Sequence, residues 1–374
     1  MLHGHGGNLS QLANQLGCSP GEISDMSSNI NPLGPPPGLI KYLQDHIDAV
    51  RTFPEVDSCK ITKAFASRYQ LDPRRVLAGN GTTQLIYMLP QALALKRVLI
   101  SGPTYSDYAD ACLLQKTKTT FVFAEASRNF QVDIDQIKTR LDQVDAVFIC
   151  NPNNPTGSLI SSQELAALCR DFPETVFIID ESYLPFVRQG EALSLRRLEY
   201  ANLIVLSSIS KIFAVPGLRI GFVISTPAII ERLTRFLQPW SVNSLAQLAA
   251  GYLMEKKSEI DAFVEKTRRF IESEKRRLFD AARSFSDIYL VPSATNFMLA
   301  ALPEHLPAEA LIARLSQDKI LLRDCRNFKG LSSRYVRFSL KKSEANQALC
   351  DKLTMIARTA DTAQQMKNRI GACG

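Results

Sequence analysis

Ser208, Ser210, Lys211 and Arg219 lie in the run Ser207-Ser208-Ile209-Ser210-Lys211-Ile212-Phe213-Ala214-Val215-Pro216-Gly217-Leu218-Arg219. Two hydroxyls stand one and three positions before the lysine, and the arginine follows it by eight, past a Pro-Gly turn. An amine in this company can attack an aldehyde while hydroxyls and a guanidinium hold a phosphate. The apolar run before it, Leu203 to Leu206, reads as a buried strand. Side chains just past such strands sit where open α/β sheets bind their ligands.

Three more strand-like runs end in polar residues. Ala146 to Cys150 is followed by Asn151-Pro152-Asn153-Asn154-Pro155-Thr156-Gly157, and Val176 to Asp180 by Glu181-Ser182-Tyr183. Val98 to Ser101 leads through Gly102-Pro103 to Tyr105. A turn, Gly79-Asn80-Gly81-Thr82-Thr83, precedes a helix predicted over 84–94. Glycines there let backbone N–H groups approach an anion at a helix N-terminus. Together these residues meet the needs of pyridoxal phosphate (PLP). Asp180 keeps the pyridine nitrogen protonated, so that the ring acts as an electron sink. Asn154 and Tyr183 donate to the phenolate oxygen. Arg219, Ser208, Ser210 and the Gly81-Thr82 turn take the phosphate, and Tyr105 stacks on the ring. Lys211, Asp180 and Tyr183 form the catalytic set.

The elements that must position these groups alternate along the chain. Helices are predicted at 58–69, 84–94, 106–115, 133–141, 161–171 and 227–236. Strands are predicted at 98–101, 146–150, 176–180, 203–206 and 220–224. Continuous Val/Ile/Phe runs between helices indicate a mostly parallel sheet covered on both faces. Upstream, Asn8 can cap a helix that Gly17 ends, Ser27 to Pro37 is a proline-punctuated loop, and a helix spans 38–50. Downstream, 245–285 is long and helical, and its charged middle (Lys266 to Arg277) reads as a solvated face. Strands at 288–291, 297–300, 320–323 and 335–340, with helices at 308–316 and 345–358, make a small α+β domain. The tail from Thr359 reads as loosely held.

Of the 374 residues, 45% are hydrophobic and 22% charged, an ordinary globular balance with room for two domains. The net charge of +7 suits anionic small molecules, and no Lys/Arg block points to nucleic acid. No apolar run is long enough to span a membrane, and no signal-peptide pattern is present. The eight cysteines are scattered singly, as in a reduced cytoplasmic protein, and no His/Cys spacing suggests a metal site.

Asn-Asn-Pro-Thr-Gly, Asp-Glu-x-Tyr and Ser-x-Ser-Lys with an arginine eight later, in this order, resemble the fold type I PLP enzymes of the aspartate aminotransferase superfamily. The resemblance covers nearly the whole chain. It implies an α/β fold with a large α/β/α domain around a mostly parallel seven-stranded sheet (46–243). It also implies a small α+β domain from both chain ends (1–45 and 244–374), a covalent link between Lys211 and the cofactor, and a homodimer.

Within that superfamily, four flanking motifs are similar to the threonine-phosphate decarboxylases of cobalamin synthesis. They are His5-Gly6-Gly7-Asn8, Ser28-Asn29-Ile30-Asn31-Pro32-Leu33-Gly34, Pro239-Trp240-Ser241-Val242-Asn243, and Arg323-Asp324-Cys325-Arg326-Asn327-Phe328-Lys329-Gly330-Leu331 with Arg337 beyond. This implies decarboxylation of O-phospho-L-threonine to (R)-1-amino-2-propanol O-2-phosphate. Arg337 and Asn154 would face the substrate carboxylate, and His5, Gly6, Asn29 and Arg323 its phosphate, with the two arginines' shares left open. The near relative is histidinol-phosphate aminotransferase, so transamination of a phosphorylated amine is the alternative. One departure stands out. Phe53-Pro54 replaces the family's tyrosine-proline, whose hydroxyl reaches the cofactor phosphate of the neighbouring subunit.

Overall fold

The structure is a computed structural model that describes residues 8–285 and 287–371. Its strands in chain order are β1 (Ser24–Asp25), β2 (Val76–Gly79), β3 (Arg97–Gly102), β4 (Lys118–Phe123), β5 (Ala146–Cys150), β6 (Val176–Asp180), β7 (Leu203–Ser208), β8 (Gly221–Ile224), β9 (Tyr289–Leu290), β10 (Phe297–Ala301), β11 (Ile320–Leu321), β12 (Arg323–Asp324) and β13 (Tyr335–Ser339). Seven of them form one sheet in the order β2-β8-β7-β6-β5-β3-β4. All run parallel except β8, which is antiparallel to both β2 and β7. The apolar runs of β5 and β7 are buried along their whole length, as a sheet covered on both faces requires.

The register sets the site. Cys150 lies beside Asp180, and Asp180 beside Leu206. Gly79 and Ser208 each pair with Gly221. The polar ends of four strands are therefore level with one another. Beneath them, Phe148 on β5 stacks on Tyr108 at 4.9 Å, and Phe65 stacks on Phe222 at 4.1 Å.

A second, antiparallel sheet has the order β12-β13-β10-β9. β1 pairs with β11, so residues near the N-terminus are tied to the C-terminal third of the chain. The long helix Lys257–Ala282 buries Ile260, Phe263, Thr267, Ile271, Glu274 and Leu278, one stripe at spacings of three and four.

Several expectations shift. β2 and β4 lie in stretches where no strand was expected. β2 runs directly into its helix, which begins at Gly81 rather than residue 84. β4 is an edge strand, exposed at three of its six positions, and carries too short an apolar run to signal itself. The helix expected over 38–50 stops at Asp45, where the His46 ring bonds the Tyr42 carbonyl, and continues as a 3₁₀ turn. The helix expected over 133–141 spans only Ile134–Lys138. The span 245–285 is two helices, broken where Lys256 leaves helical geometry at ψ 52°. Its charged middle is not wholly solvated: Glu274 is buried, with hydrogen bonds from Ser343 and Asn346. Asn8 precedes the helix Leu9–Leu16 without a side-chain cap, whereas Gly17 ends it in the left-handed region, as expected. The tail past Thr359 continues the last helix, which runs Ser343–Gly371.

Phe148 is fully buried, so Phe148→Ala should destabilise the protein by about 3–5 kcal/mol. A lowered urea midpoint measures the effect. The same change removes the platform under Tyr108.

Candidate active site

Each predicted cofactor residue lies at a strand end or in the turn beside it, and all line one cavity. Gly81, Thr82, Tyr105, Asn154, Asp180, Tyr183, Ser208, Ser210, Lys211 and Arg219 are all in its wall. Gly81 has φ +71°, and a Cβ there would stand 2.9 Å from the Arg219 guanidinium. Only glycine lets the arginine close over the helix N-terminus. The helix Gly81–Ala92 thus points its first, unpaired N–H groups at the cavity beside a guanidinium, a suitable seat for a phosphate.

Ser208 Oγ accepts from the Ser210 N–H at 3.3 Å, which leaves its own proton to donate. The Ser210 hydroxyl instead donates to the Ile220 carbonyl at 3.1 Å. The serine next to the lysine therefore steadies the turn more than it offers a phosphate donor.

Asp180 is buried, and burial pushes its carboxyl above the usual range. Hydrogen bonds to its charged form oppose that, from the Ser182 N–H at 2.9 Å and the Tyr108 hydroxyl at 2.8 Å. Tyr108 was not among the expected residues. Its position three after Tyr105, on one face of the helix Asp107–Leu114, is a signal that sequence alone left unused. Cys150, Thr83 and Ser182 also line the cavity and were not foreseen.

Burial lowers the Lys211 amine to about 8; the Arg219 and Arg337 charges add to this, and Asp180 opposes it. The amine therefore sheds its proton far more readily than an ordinary lysine.

A second pocket adjoins the first and shares Tyr105, Asn154, Tyr183 and Lys211 with it. Asn29, Arg323, Phe328 and Arg337 complete its polar end. Arg323 and Arg337 are direct cross-strand partners on β12 and β13, and both are buried. Burial holds both guanidinium pKa values below the ordinary one, and the Arg337 charge adds to the shift of Arg323. Arg337 donates to Asn154 Oδ1 and, at 2.6 Å, to the Ser27 carbonyl, while its Nε has no hydrogen-bond partner among the described residues. Arg323 donates to Asn327 at 2.6 Å and lies 5.3 Å from the Phe328 ring centre.

Asn29 lies in the wall of this pocket, as expected of a substrate-side residue. Its amide donates to the Tyr183 hydroxyl at 3.2 Å and accepts from Ser339 at 2.6 Å. It therefore positions Tyr183 with one N–H and keeps the second for a ligand. His5 and Gly6 lie outside the described residues.

The lysine, carboxylate, asparagine and arginine thus converge on one cavity. Residues 22–353 match the model of the aminotransferase class I and II family. The chain belongs to that family. It is 33% identical over 374 residues to the adenosylcobalamin biosynthesis bifunctional protein CobDQ of Leptospira interrogans, covering 98% of this chain but only 42% of that protein's length. It is 30% identical to the threonine-phosphate decarboxylase of Salmonella typhimurium, over 92% of this chain and 94% of that one. The crystal structure of the histidinol-phosphate aminotransferase from Clostridium acetobutylicum superposes with a TM-score of 0.83 at 26% identity, over 90% of this chain and 100% of that one. Among the described residues, no helix is long and apolar enough to cross a membrane.

In the cofactor-free protein, acylation of Lys211 by an amine-directed reagent should rise through pH about 8 instead of the usual ~10.4. Arg219→Gln removes a repelling charge and should move the midpoint up, whereas Asp180→Asn should move it down. Mass spectrometry of the labelled peptide reads both. Midpoints unmoved in both variants would mean that neither charge contributes.

Proposed function

We propose that this protein is a PLP-dependent decarboxylase acting on O-phospho-L-threonine and releasing (R)-1-amino-2-propanol O-2-phosphate. The observation that carries this reading is the pair Arg323 and Arg337, buried side by side and opening on the pocket that holds Lys211. Like charges directly opposite each other destabilise a sheet. Two buried guanidiniums are best explained by a substrate with two anionic groups. Phosphothreonine has both a carboxylate and a phosphate. The similarity to threonine-phosphate decarboxylases supports the same choice.

The residues present fit the cofactor. Asp180 would meet the ring nitrogen, Asn154 and Tyr183 would serve the phenolate oxygen, and Tyr105 would cover the ring. Arg219, Ser208 and the N–H groups of Gly81 and Thr82 would hold the phosphate. PLP supplies the electron sink for the pair left when a bond to the substrate's Cα breaks. The protein's own groups choose the bond and handle the protons. Arg337, braced by Asn154 and the Ser27 carbonyl, keeps its Nε–H, which has no partner among the described residues, for the carboxylate. Arg323 takes the phosphate, seated against Phe328. Asp180 holds the proton on the ring nitrogen, and the Tyr108 and Ser182 hydrogen bonds keep the carboxylate charged while it does so. Lys211, with its depressed pKa, returns a proton to Cα after carbon dioxide leaves.

The protein is proposed to divide into a large cofactor unit, 46–243, and a small unit from both chain ends, and to act as a homodimer. Phe53, Val50, Ile47 and Trp240 support the dimer. They are exposed at 81%, 60%, 53% and 50%, and the Phe53 and Trp240 rings lie 5.2 Å apart. Such a patch on a free chain marks an interface.

Purified protein given O-phospho-L-threonine as its only amine should release carbon dioxide and the phosphorylated amino alcohol. Turnover of histidinol phosphate with an oxo acid, and no carbon dioxide, would establish the aminotransferase instead. Arg323→Lys and Arg337→Lys should each lower kcat/KM roughly tenfold or more, since an ammonium cannot reproduce the planar fork.

Sedimentation should give a dimer that Trp240→Glu dissociates. Phe53→Tyr should tighten PLP by at most about 1.5–3 kcal/mol, one hydrogen bond to a charged group, read by equilibrium dialysis. Unchanged affinity would mean that Phe53 is not beside the phosphate.

A further inference from the structure

The segment that carries Lys211 separates two cavities. Ser208, Ser210 and Lys211 line the cofactor cavity. Ser207, Ile209, Ile212 and Phe213 line the other, and Ser208 touches both. This second space, about 400 Å³, opens between the helix Cys59–Tyr69, the segment around Arg196 and the long helix Lys257–Ala282. It plays no part in the reaction proposed above.

Its wall is rich in guanidinium groups. The Arg68 side chain is only 6% exposed and Arg196 only 4%. Arg68 pairs with Asp261 through Nη2 at 2.5 Å, but its Nε and Nη1 have no hydrogen-bond partner among the described residues. Arg196 lies over Tyr69, its guanidinium carbon 4.1 Å from the ring centre. Its Nε donates to Ser194, while its Nη1 makes no hydrogen bond, with Glu191 3.5 Å away. Arg268 reaches in from the long helix, anchored through its Nε on the Pro185 carbonyl at 2.9 Å. Arg197 and Lys257 stand at the rim.

Five cationic side chains thus line the cavity against three carboxylates, Glu191, Asp261 and Glu265, and a fourth carboxylate, Glu181, acts on Arg196 from behind the wall. An excess of positive charge remains, the sign that an oxyanion answers. Buried, charged N–H groups without acceptors are costly, and the cost disappears when an oxyanion accepts from them. Water could serve the donors but would leave the charge excess in place. A phosphate answers both, because its three terminal oxygens suit several planar guanidinium forks at once.

We propose that this cavity is a binding site for a phosphate group, free or on a small monoester, separate from the cofactor and substrate sites. Its floor is the Ser207–Phe213 segment, so an occupant rests directly on the peptide that positions Lys211.

The test uses PLP-loaded protein, which fills the cofactor's phosphate seat, in an Arg323→Gln background, which removes the proposed substrate phosphate clamp. Calorimetric titration with inorganic phosphate and with glycerol 3-phosphate should each show one saturable event per chain. Tighter binding of one over the other identifies whether the source is free phosphate or a monoester. Adding Arg68→Gln or Arg268→Gln should weaken binding about tenfold or more, as loss of a charge-assisted hydrogen bond does. Arg268 is braced only by a carbonyl and a long ion pair, so its variant carries the test if Arg68→Gln fails to fold. Absence of saturable binding, or affinities untouched by either replacement, overturns the proposal. The outcome does not depend on which reaction the enzyme catalyses.

Discussion

The constraint on which this structure depends is the gathering of cations in a space largely shut off from water. Lys211, Arg323 and Arg337 share one pocket with little negative charge nearby, and Arg219 stands at the edge of the adjoining cavity. Burial and mutual repulsion raise the energy of the protonated lysine, so the site contains a reactive amine near neutral pH. The same repulsion makes the site hospitable to anions, because each one that enters relieves it. Much of the local architecture serves to keep these charges in place. The Ser27 carbonyl and Asn154 hold one guanidinium, Asn327 holds the other, and aromatic rings lie against both.

Holding a reactive amine also requires the strand ends to be level. Asp180 reaches its place because β5, β6 and β7 run in register, and the single antiparallel strand, β8, brings Gly221 alongside Ser208. A Cβ on Gly221 would lie 2.5 Å from the Thr82 amide nitrogen, so the helix N-terminus that faces the cavity can be this close only because a glycine stands there.

The residues at the strand ends were legible because each belongs to a contiguous motif, and the strand before it is a plain apolar run. Lys211, Asp180, Asn154 and Arg219 meet as the spacing implied. What sequence did not reveal are relations through space. Tyr108 supports Asp180 from a helix 72 residues earlier, and Asn29 is committed to Tyr183 across 154 residues. Neither pairing leaves a local pattern. The edge strand β4 escaped notice for a related reason: half of its side chains face outward, so its composition is that of a loop. Glu274 and Arg268 looked like members of a solvated charge run, and only the packing of neighbouring elements withdraws them from it.

The bonds that close the pocket join the two ends of the chain. Arg337 and Ser339 grip Ser27 and Asn29 across 310 residues. Lys211 is synthesised 126 residues before Arg337. A nascent chain therefore carries its lysine out of the ribosome with the ordinary basicity of an exposed amine. Burial and the Arg219 charge lower that basicity most, and the Arg337 charge adds its share only once β13 has folded back on the first residues. Completion of the polypeptide is in this sense the last adjustment of Lys211, and a chain truncated before β13 would hold an amine closer to ordinary basicity.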